Sequence, residues 1–257
     1  MRKSFIALWT VSVLFAGLLF SGSAFAFHPL ITDDTGTQGK KKFQLEVNGQ
    51  FAHDSTNGVK TDQTDINTTL TYGLSDTLDI SVGMPYSFIR EKDSTSTVSN
   101  DGISDVGLDL KWRFYEKDGW SLSVKPGLTL PTGDDEKGLG QGRTTYHMFL
   151  ITTKEIKPWA FHLNLGYIRN ENKVDEDKDI WHASFATEVE VAHHLKVVAN
   201  IGAEKNPDRT SSTNPAFILG GFVYSITDNF DFDLGIKGGL NKAEPDYMVL
   251  AGITVKF

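Results

Sequence analysis

The chain contains no cysteine. No disulfide can staple it and no thiol can carry a lipid at a processing site, so packing or closure of the fold must hold it together. Positive charge is also scarce, with 25 Lys and Arg against 33 Asp and Glu and a formal charge of −8. That balance argues against nucleic acid as a partner, because phosphate binding needs a basic face. Beyond residue 26 no stretch approaches the ~18 consecutive apolar residues of a transmembrane helix. Linkers and low-complexity breaks are missing as well, which fits one domain.

Residues 1–26 have the three parts of a secretory signal peptide. Arg2 and Lys3 supply the positive start, Phe5 to Phe20 the apolar stretch, and Ala24-Phe25-Ala26 a small-x-small processing site. Cleavage is expected after Ala26. Loss of Arg2 and Lys3 moves the formal charge from −8 to −10. Residues 27–42, "FHPLITDDTGTQGKKK" without a clean alternation, read as an irregular segment that either plugs the fold or lies free.

From residue 43 to 257 the pattern has period two. Phe43, Leu45, Val47 and Phe51 oppose Gln44, Glu46, Asn48 and Gln50, and Val106, Leu108, Leu110, Trp112 and Phe114 oppose Asp105, Asp109, Lys111 and Arg113. Such alternation is a strand signature. Similar strands are expected in "DINTTLTYG" and "LDISVGMPYSF", and near 120–131, 144–154, 159–169, 180–191, 195–204, 216–226, 230–240 and 247–257. The facing of 144–154 and 216–226 is least clear. The count is twelve, which puts both ends of the chain on one side.

Alternation alone fits a soluble sandwich as well as a barrel, since each buries one face of every strand. Loop length separates them. Short turns ("GLSD", "EKDG", "EIKP", "AHH", "TDN") alternate with longer polar connections such as "EKDSTSTVSNDG" and "NENKVDEDKD", the pattern of an outer-membrane barrel. Aromatics fall at two levels: Phe43, Tyr72, Phe114, Trp120, Trp159, Phe230 and Phe257 by the short turns, and Phe51, Phe88, Tyr167, Trp181 and Tyr247 by the long loops. Two belts suit two headgroup layers. The expected fold is a twelve-stranded antiparallel up-and-down transmembrane β-barrel in the bacterial outer membrane. Its termini should be periplasmic, and lipid and lipopolysaccharide should surround it.

Several segments resemble one family, the outer-membrane proteins of the MetA-pathway of phenol degradation. They are "HPLITDDTGTQGKKKFQLEV", "YGLSDTLDISVGMPYSF", "GISDVGLDLKWRF", "PGLTLPTGDDEKGLGQG", "HLNLGY" and "FVYSITDNFDFDLGIKGGL". The resemblance implies an outer-membrane barrel associated with uptake of small aromatic or apolar compounds, and it supplies no functional residues.

Inward charges are the candidate site. Asp79 should lie near Lys111 and Arg113, Glu188 and Glu190 near Lys196, and Asp231 and Asp233 near Lys256, all toward the short-turn end. Such groups either filter solutes at a constriction or merely balance charge in the lumen. The leading function is passive diffusion of small solutes through a narrow, charge-lined channel, and the alternative is a non-transporting structural or surface barrel. His182-Ala183-Ser184 resembles the His-x-Ser pair of outer membrane phospholipase A. That enzyme also needs an orienting Asn twelve residues after the Ser, and Lys196 stands there, so a lipid hydrolase is disfavoured. "GLGQG" lacks a following helix, "VDEDKD" lacks full Ca²⁺ spacing and His193-His194 lacks a third ligand. No cofactor or metal is expected.

Overall fold

Phe257 and Phe43 exchange backbone hydrogen bonds, with Phe43 N–H donating to the Phe257 carbonyl at 2.7 Å and Phe257 N–H to the Phe43 carbonyl at 2.9 Å. This pair ties the last strand to the first, so the sheet keeps no edge to expose. The computed structural model describes residues 28–56 and 58–257. The signal peptide expected at 1–26 lies outside the described residues, as does Phe27.

Thirteen strand segments follow in antiparallel order: β1 (Phe43–Thr56), β2 (Val59–Ser75), β3 (Leu78–Lys92), β4 (Thr97–Ile103), β5 (Val106–Lys117), β6 (Trp120–Leu130) and β7 (Thr145–Ile156), then β8 (Trp159–Arg169), β9 (Asp179–Ala192), β10 (Leu195–Glu204), β11 (Ala216–Thr227), β12 (Phe230–Gly239) and β13 (Tyr247–Lys256). Apart from β4 and β5, each pairs with its chain neighbours, and β1 pairs with both β2 and β13. β4 and β5 are two halves of one stave, because both pair with β3: β5 from Leu78↔Trp112 to Gly83↔Gly107, and β4 from Tyr86↔Ile103 to Lys92↔Thr97. The break falls opposite Pro85, which has no N–H to give the ladder. The structure is therefore a closed twelve-stranded antiparallel barrel. Among the described residues no helix is long and apolar enough to cross a membrane.

Two connections read as long loops are largely strand. β1 and β2 run on to Thr56 and Val59, and "EKDSTSTVSNDG" contributes the end of β3 and most of β4. These extensions are polar on both faces, so they carry no apolar alternation to betray them. They make β1 to β3 the tallest wall, at 14, 17 and 15 residues.

Apolar side chains point outward, as Ile80 (39 % exposed), Leu110 (41 %) and Trp112 (51 %) show, while Asp79 between them in register is 3 % exposed. The aromatic belts stand on this outer face. Phe43 stacks on Phe257 at 5.6 Å between centroids and lies 4.6 Å from Tyr72, and Phe51 meets Tyr247 at the other level. β7 and β11 are apolar on both faces. Their inward positions include Ile151, Phe217, Leu219 and Val223, all at most 4 % exposed.

Candidate functional site

The interior is crossed by residues 28–42, which form no strand. His28 Nδ1 lies 2.6 Å from Asp233 on β12. Leu30 packs on two buried groups, Val198 with Val223 and Phe217 with Leu219 and Leu250. The amides of Ile31 and Thr32 donate to Asn200 Oδ1 on β10 at 2.8 and 3.0 Å, and Asn200 Nδ2 donates to Thr32 Oγ1 at 2.7 Å. Asn164 on β8, oriented to satisfy both groups, donates to the Asp33 carbonyl and accepts from the Asp33 amide.

Asp33 then bridges two cations, accepting from Lys111 Nζ at 2.7 Å and Lys125 Nζ at 3.0 Å. Thr35 meets Thr153 and Ser121, Gln38 N–H donates to Asp79 Oδ2 at 2.9 Å, and Lys41 N–H donates to the Gly73 carbonyl at 2.8 Å. The segment thus spans from β12 to the β2–β3 turn, satisfying its backbone on inward side chains as a buried loop must. Glycines admit it: a Cβ on Gly235 would strike Pro29 at 2.7 Å, and one on Gly73 would overlap the Gly39 carbonyl.

Burial by itself would raise the Asp33 carboxyl, but Lys111 and Lys125 outweigh it and hold Asp33 well below the usual carboxylate range. Asp34 has only Lys111 at 3.7 Å and the Gly36 amide at 2.7 Å, and its Oδ2 is buried without a hydrogen bond. Burial therefore pushes the Asp34 carboxyl up to about 8.

Of the charges singled out from sequence, some pair in this frame as expected and others take different partners. Asp79 is opposite Lys111 in register, yet Lys111 turns to Asp33 and Asp79 takes the Gln38 amide. Arg113 reaches the Asp76 carbonyl at 3.2 Å and Glu116 at 3.2 Å, at the rim. Glu188 pairs with Lys196 at 2.9 Å, while Glu190 is exposed by the short turn. Lys256 binds Asp231 at 3.0 Å, and Asp233, expected near Lys256, belongs instead to His28. For Lys111, Asp79 and Asp233 the reason is the segment, whose polar groups compete for wall charges that strand register alone would pair. Lys125 escaped the sequence reading, although its place on the polar face of β6 was the available signal.

Beside the segment lies a cavity of about 680 Å³, bounded by the β1–β3 wall with β5 and β6. It extends from Gln44 and Asp79 toward the short turns to Gln63, Ser87 and Asp105 toward the long loops. Asp105, at the β4–β5 break, accepts from the Gly133 and Gln141 amides at 2.9 and 2.8 Å and so pins the loop after β6.

The sequence matches the family described as the MetA-pathway of phenol degradation over residues 29–257. The chain belongs to that family. Among solved structures it is similar to the COG4313 outer membrane channel from Pseudomonas putida F1, at 16 % identity and TM-score 0.70, covering 87 % of this chain and 98 % of that one. It is also similar to the NanC porin (11 % identity, TM-score 0.54, covering 83 % and 98 %) and the KdgM porin (6 %, 0.56, 83 % and 99 %). No protein of curated function matches the sequence. At these identities the likeness shows the fold alone, a closed antiparallel β-barrel.

One feature of this family member departs from the sequence reading. His182 Nε2 lies 2.9 Å from Ser184 Oγ, and its Nδ1 lies 3.2 Å from Glu204 Oε2 on β10. An orienting carboxylate therefore exists, supplied by the neighbouring strand rather than by the position of Lys196. The relay still lacks the other parts of an acyl-transfer site. Ser184 is 3 % exposed, and β8 and β10 flank β9, so its amides serve the ladder rather than an oxyanion. Among the described residues no cluster of His, Asp and Glu is arranged to hold a metal.

Proposed function

We propose that this barrel is a narrow passive channel for small polar solutes, partly plugged by residues 28–42, with its short-turn end in the periplasm. The observation that carries this reading is the 680 Å³ cavity left between the segment and the polar β1–β3 wall. Polar groups on a lumen wall are satisfied by water, and a barrel between the filled eight-stranded and the open sixteen-stranded sizes leaves a restricted path. Asp79, Lys111, Arg113, Glu188, Glu190, Lys196, Asp233 and Lys256 give the periplasmic half its charge. Outside, the two belts meet outer-membrane lipid, with lipopolysaccharide against the long-loop half.

The family's description speaks of phenol degradation, but the open wall is made of amides, hydroxyls and carboxylates. That composition supports polar rather than aromatic solutes. Planar-bilayer recording tests the proposal: small conductance steps are expected, growing when residues 28–40 are deleted. Bilayers that stay silent even after that deletion would favour a non-transporting barrel. Orientation is tested separately with Asp177→Cys and Asp76→Cys in intact cells and an impermeant thiol reagent. Asp177→Cys should label, and labelling of Asp76→Cys alone would invert the barrel.

A further inference from the structure

We infer that the open half of the lumen selects cations, and that Glu46 on β1 and Asp65 on β2 set this preference. The inference rests on the channel reading above and adds the solute class. Seven aspartate and glutamate side chains line the cavity against two lysines and one histidine. The cationic groups are already engaged. Lys111 and Lys125 both donate to Asp33, at 2.7 and 3.0 Å, and His28 lies 2.6 Å from Asp233. Lys125 also lies 4.0 Å from Asp109, so each cation of the lining already has a carboxyl group beside it.

The acidic side is different. Asp65 takes its hydrogen bonds from neutral amides, Gln50 Nε2 at 2.8 Å and Gln63 Nε2 at 3.0 Å. Glu46 likewise faces the cavity, and among the described residues no lysine, arginine or histidine forms an ion pair with either carboxylate within 4.0 Å. Glu46 pairs in register with Thr69, and Asp65 with Gln50, four residues further along β1. The two carboxylates therefore stand about 13 Å apart along the wall, at ~3.3 Å per residue. A cation leaving one is still under the influence of the other, the spacing that lets an ion enter without being trapped. A low-dielectric wall on the lipid side focuses their field into the water path.

The neutral part of the lining narrows the class further. Asn48, Asn67, Gln50 and Gln63 offer both donors and acceptors, whereas apolar lining is confined to Leu30, Ile31 and Pro85. Such a wall can replace the hydration of hydroxyls as well as of an ammonium group. It gives an aromatic ring little to stack on. The favoured solute is a small hydrophilic organic cation, an ammonium carrying hydroxyl groups.

The test uses the full processed protein in planar bilayers under a KCl gradient, reading the reversal potential. Wild type should prefer K⁺ over Cl⁻ on the order of tenfold. Glu46→Gln with Asp65→Asn should bring the ratio close to parity, Glu46→Asp should retain it, and Asp208→Asn on an outer loop should leave it unchanged. A heat-dependent shift in gel mobility checks that each variant is a closed barrel. With ethanolammonium or benzylammonium as the only cation, ethanolammonium should carry the larger current. Anion preference in wild type, or an unchanged ratio in the folded double variant, would overturn the inference while leaving the channel intact. Benzylammonium currents equal to or above those of ethanolammonium would overturn the assigned solute class. Silence of both wild type and the segment-deleted protein would instead remove the channel reading, and this inference with it.

Discussion

Inward positions on β7, β9, β10, β11 and β13 hold Ile151, Ala186, Val198, Phe217, Leu219, Val223 and Leu250, each at most 4 % exposed, and Leu30 packs among the last five. The same positions on β1 to β3 hold Gln44, Glu46, Asn48, Asp65, Asn67 and Ser81, facing the cavity. Strand geometry is the same on both sides, so it does not decide which half is filled. Side-chain chemistry does. Apolar inward groups must be covered, and Pro29 and Leu30 cover them at the glycines Gly221 and Gly235. Polar inward groups need no such cover, and beside them the cavity remains.

The comparison is broken most forcefully by placing the same charge in each half. Leu219→Asp buries a carboxylate among Phe217, Leu250 and Leu30, and should cost about 3 kcal/mol or more. Asn67→Asp, on the cavity wall, should stay within about 0.5 kcal/mol of wild type. Urea unfolding of the two variants in detergent or bilayers reads the difference. Equal losses would mean that the open half is packed after all.

A second contrast separates the outer wall from the inner. Leu110→Arg puts a charge toward lipid and should cost about 2–4 kcal/mol, depending on depth. Lys111→Leu, the next residue, should assemble far better, since Lys125 still holds Asp33. Its effect should be on the segment, seen as faster proteolysis within residues 28–42. Equivalent assembly defects in the two would contradict the facing of β5.

A third change acts only on the filled half. Leu30→Ser removes the side chain that meets both buried groups, while the polar contacts of Thr32 and Asp33 remain. Full burial of a leucine is worth about 1.5–3 kcal/mol, so loss of this half-buried contact should cost roughly half of that. Conductance should rise toward that of the segment-deleted protein, with the barrel's unfolding nearly unchanged. A conductance identical to wild type would show that the polar contacts alone seat the segment.

Which parts were legible in the sequence follows from the same contrast. Where the lumen is wet, strict alternation marked β1 to β3 and β5 within a residue or two at their short-turn ends. On β7 and β11 alternation weakens, and these were the two strands whose facing was least clear. Phe149, Ile151, Phe217, Leu219 and Val223 erase the polar face that alternation needs. Above the lipid the opposite happens: β4 and the tops of β1 to β3 are polar on both faces and passed for loops. The partners of the inward charges were illegible for another reason. They depend on a segment whose own sequence has no periodicity, so nothing local announces that Asp33, rather than Asp79, takes Lys111.

The last expected effect concerns pH and the seating of the segment. Asp34 faces Lys111 at 3.7 Å and the Gly36 amide, with Asp33 and Glu188 adding negative charge nearby, and burial carries its carboxyl to about 8. A free segment would titrate this group near 4. A raised acid stabilises the seated form fully below about 4, and that contribution drains away as pH rises toward about 8. Asp33 acts with the opposite sign, because its lowered carboxyl favours seating above the ordinary range and fails only in strong acid. Between pH 6 and pH 8 the Asp34 contribution is the one that changes, and seating weakens. Lys111 and the Gly36 amide already temper that shift, and open probability should rise with pH across this window. Asp34→Asn holds the same shape without a titrating proton and should flatten the profile. A wild-type profile that falls with rising pH, or a rise that persists in Asp34→Asn, would place the sensitive group elsewhere in the lumen.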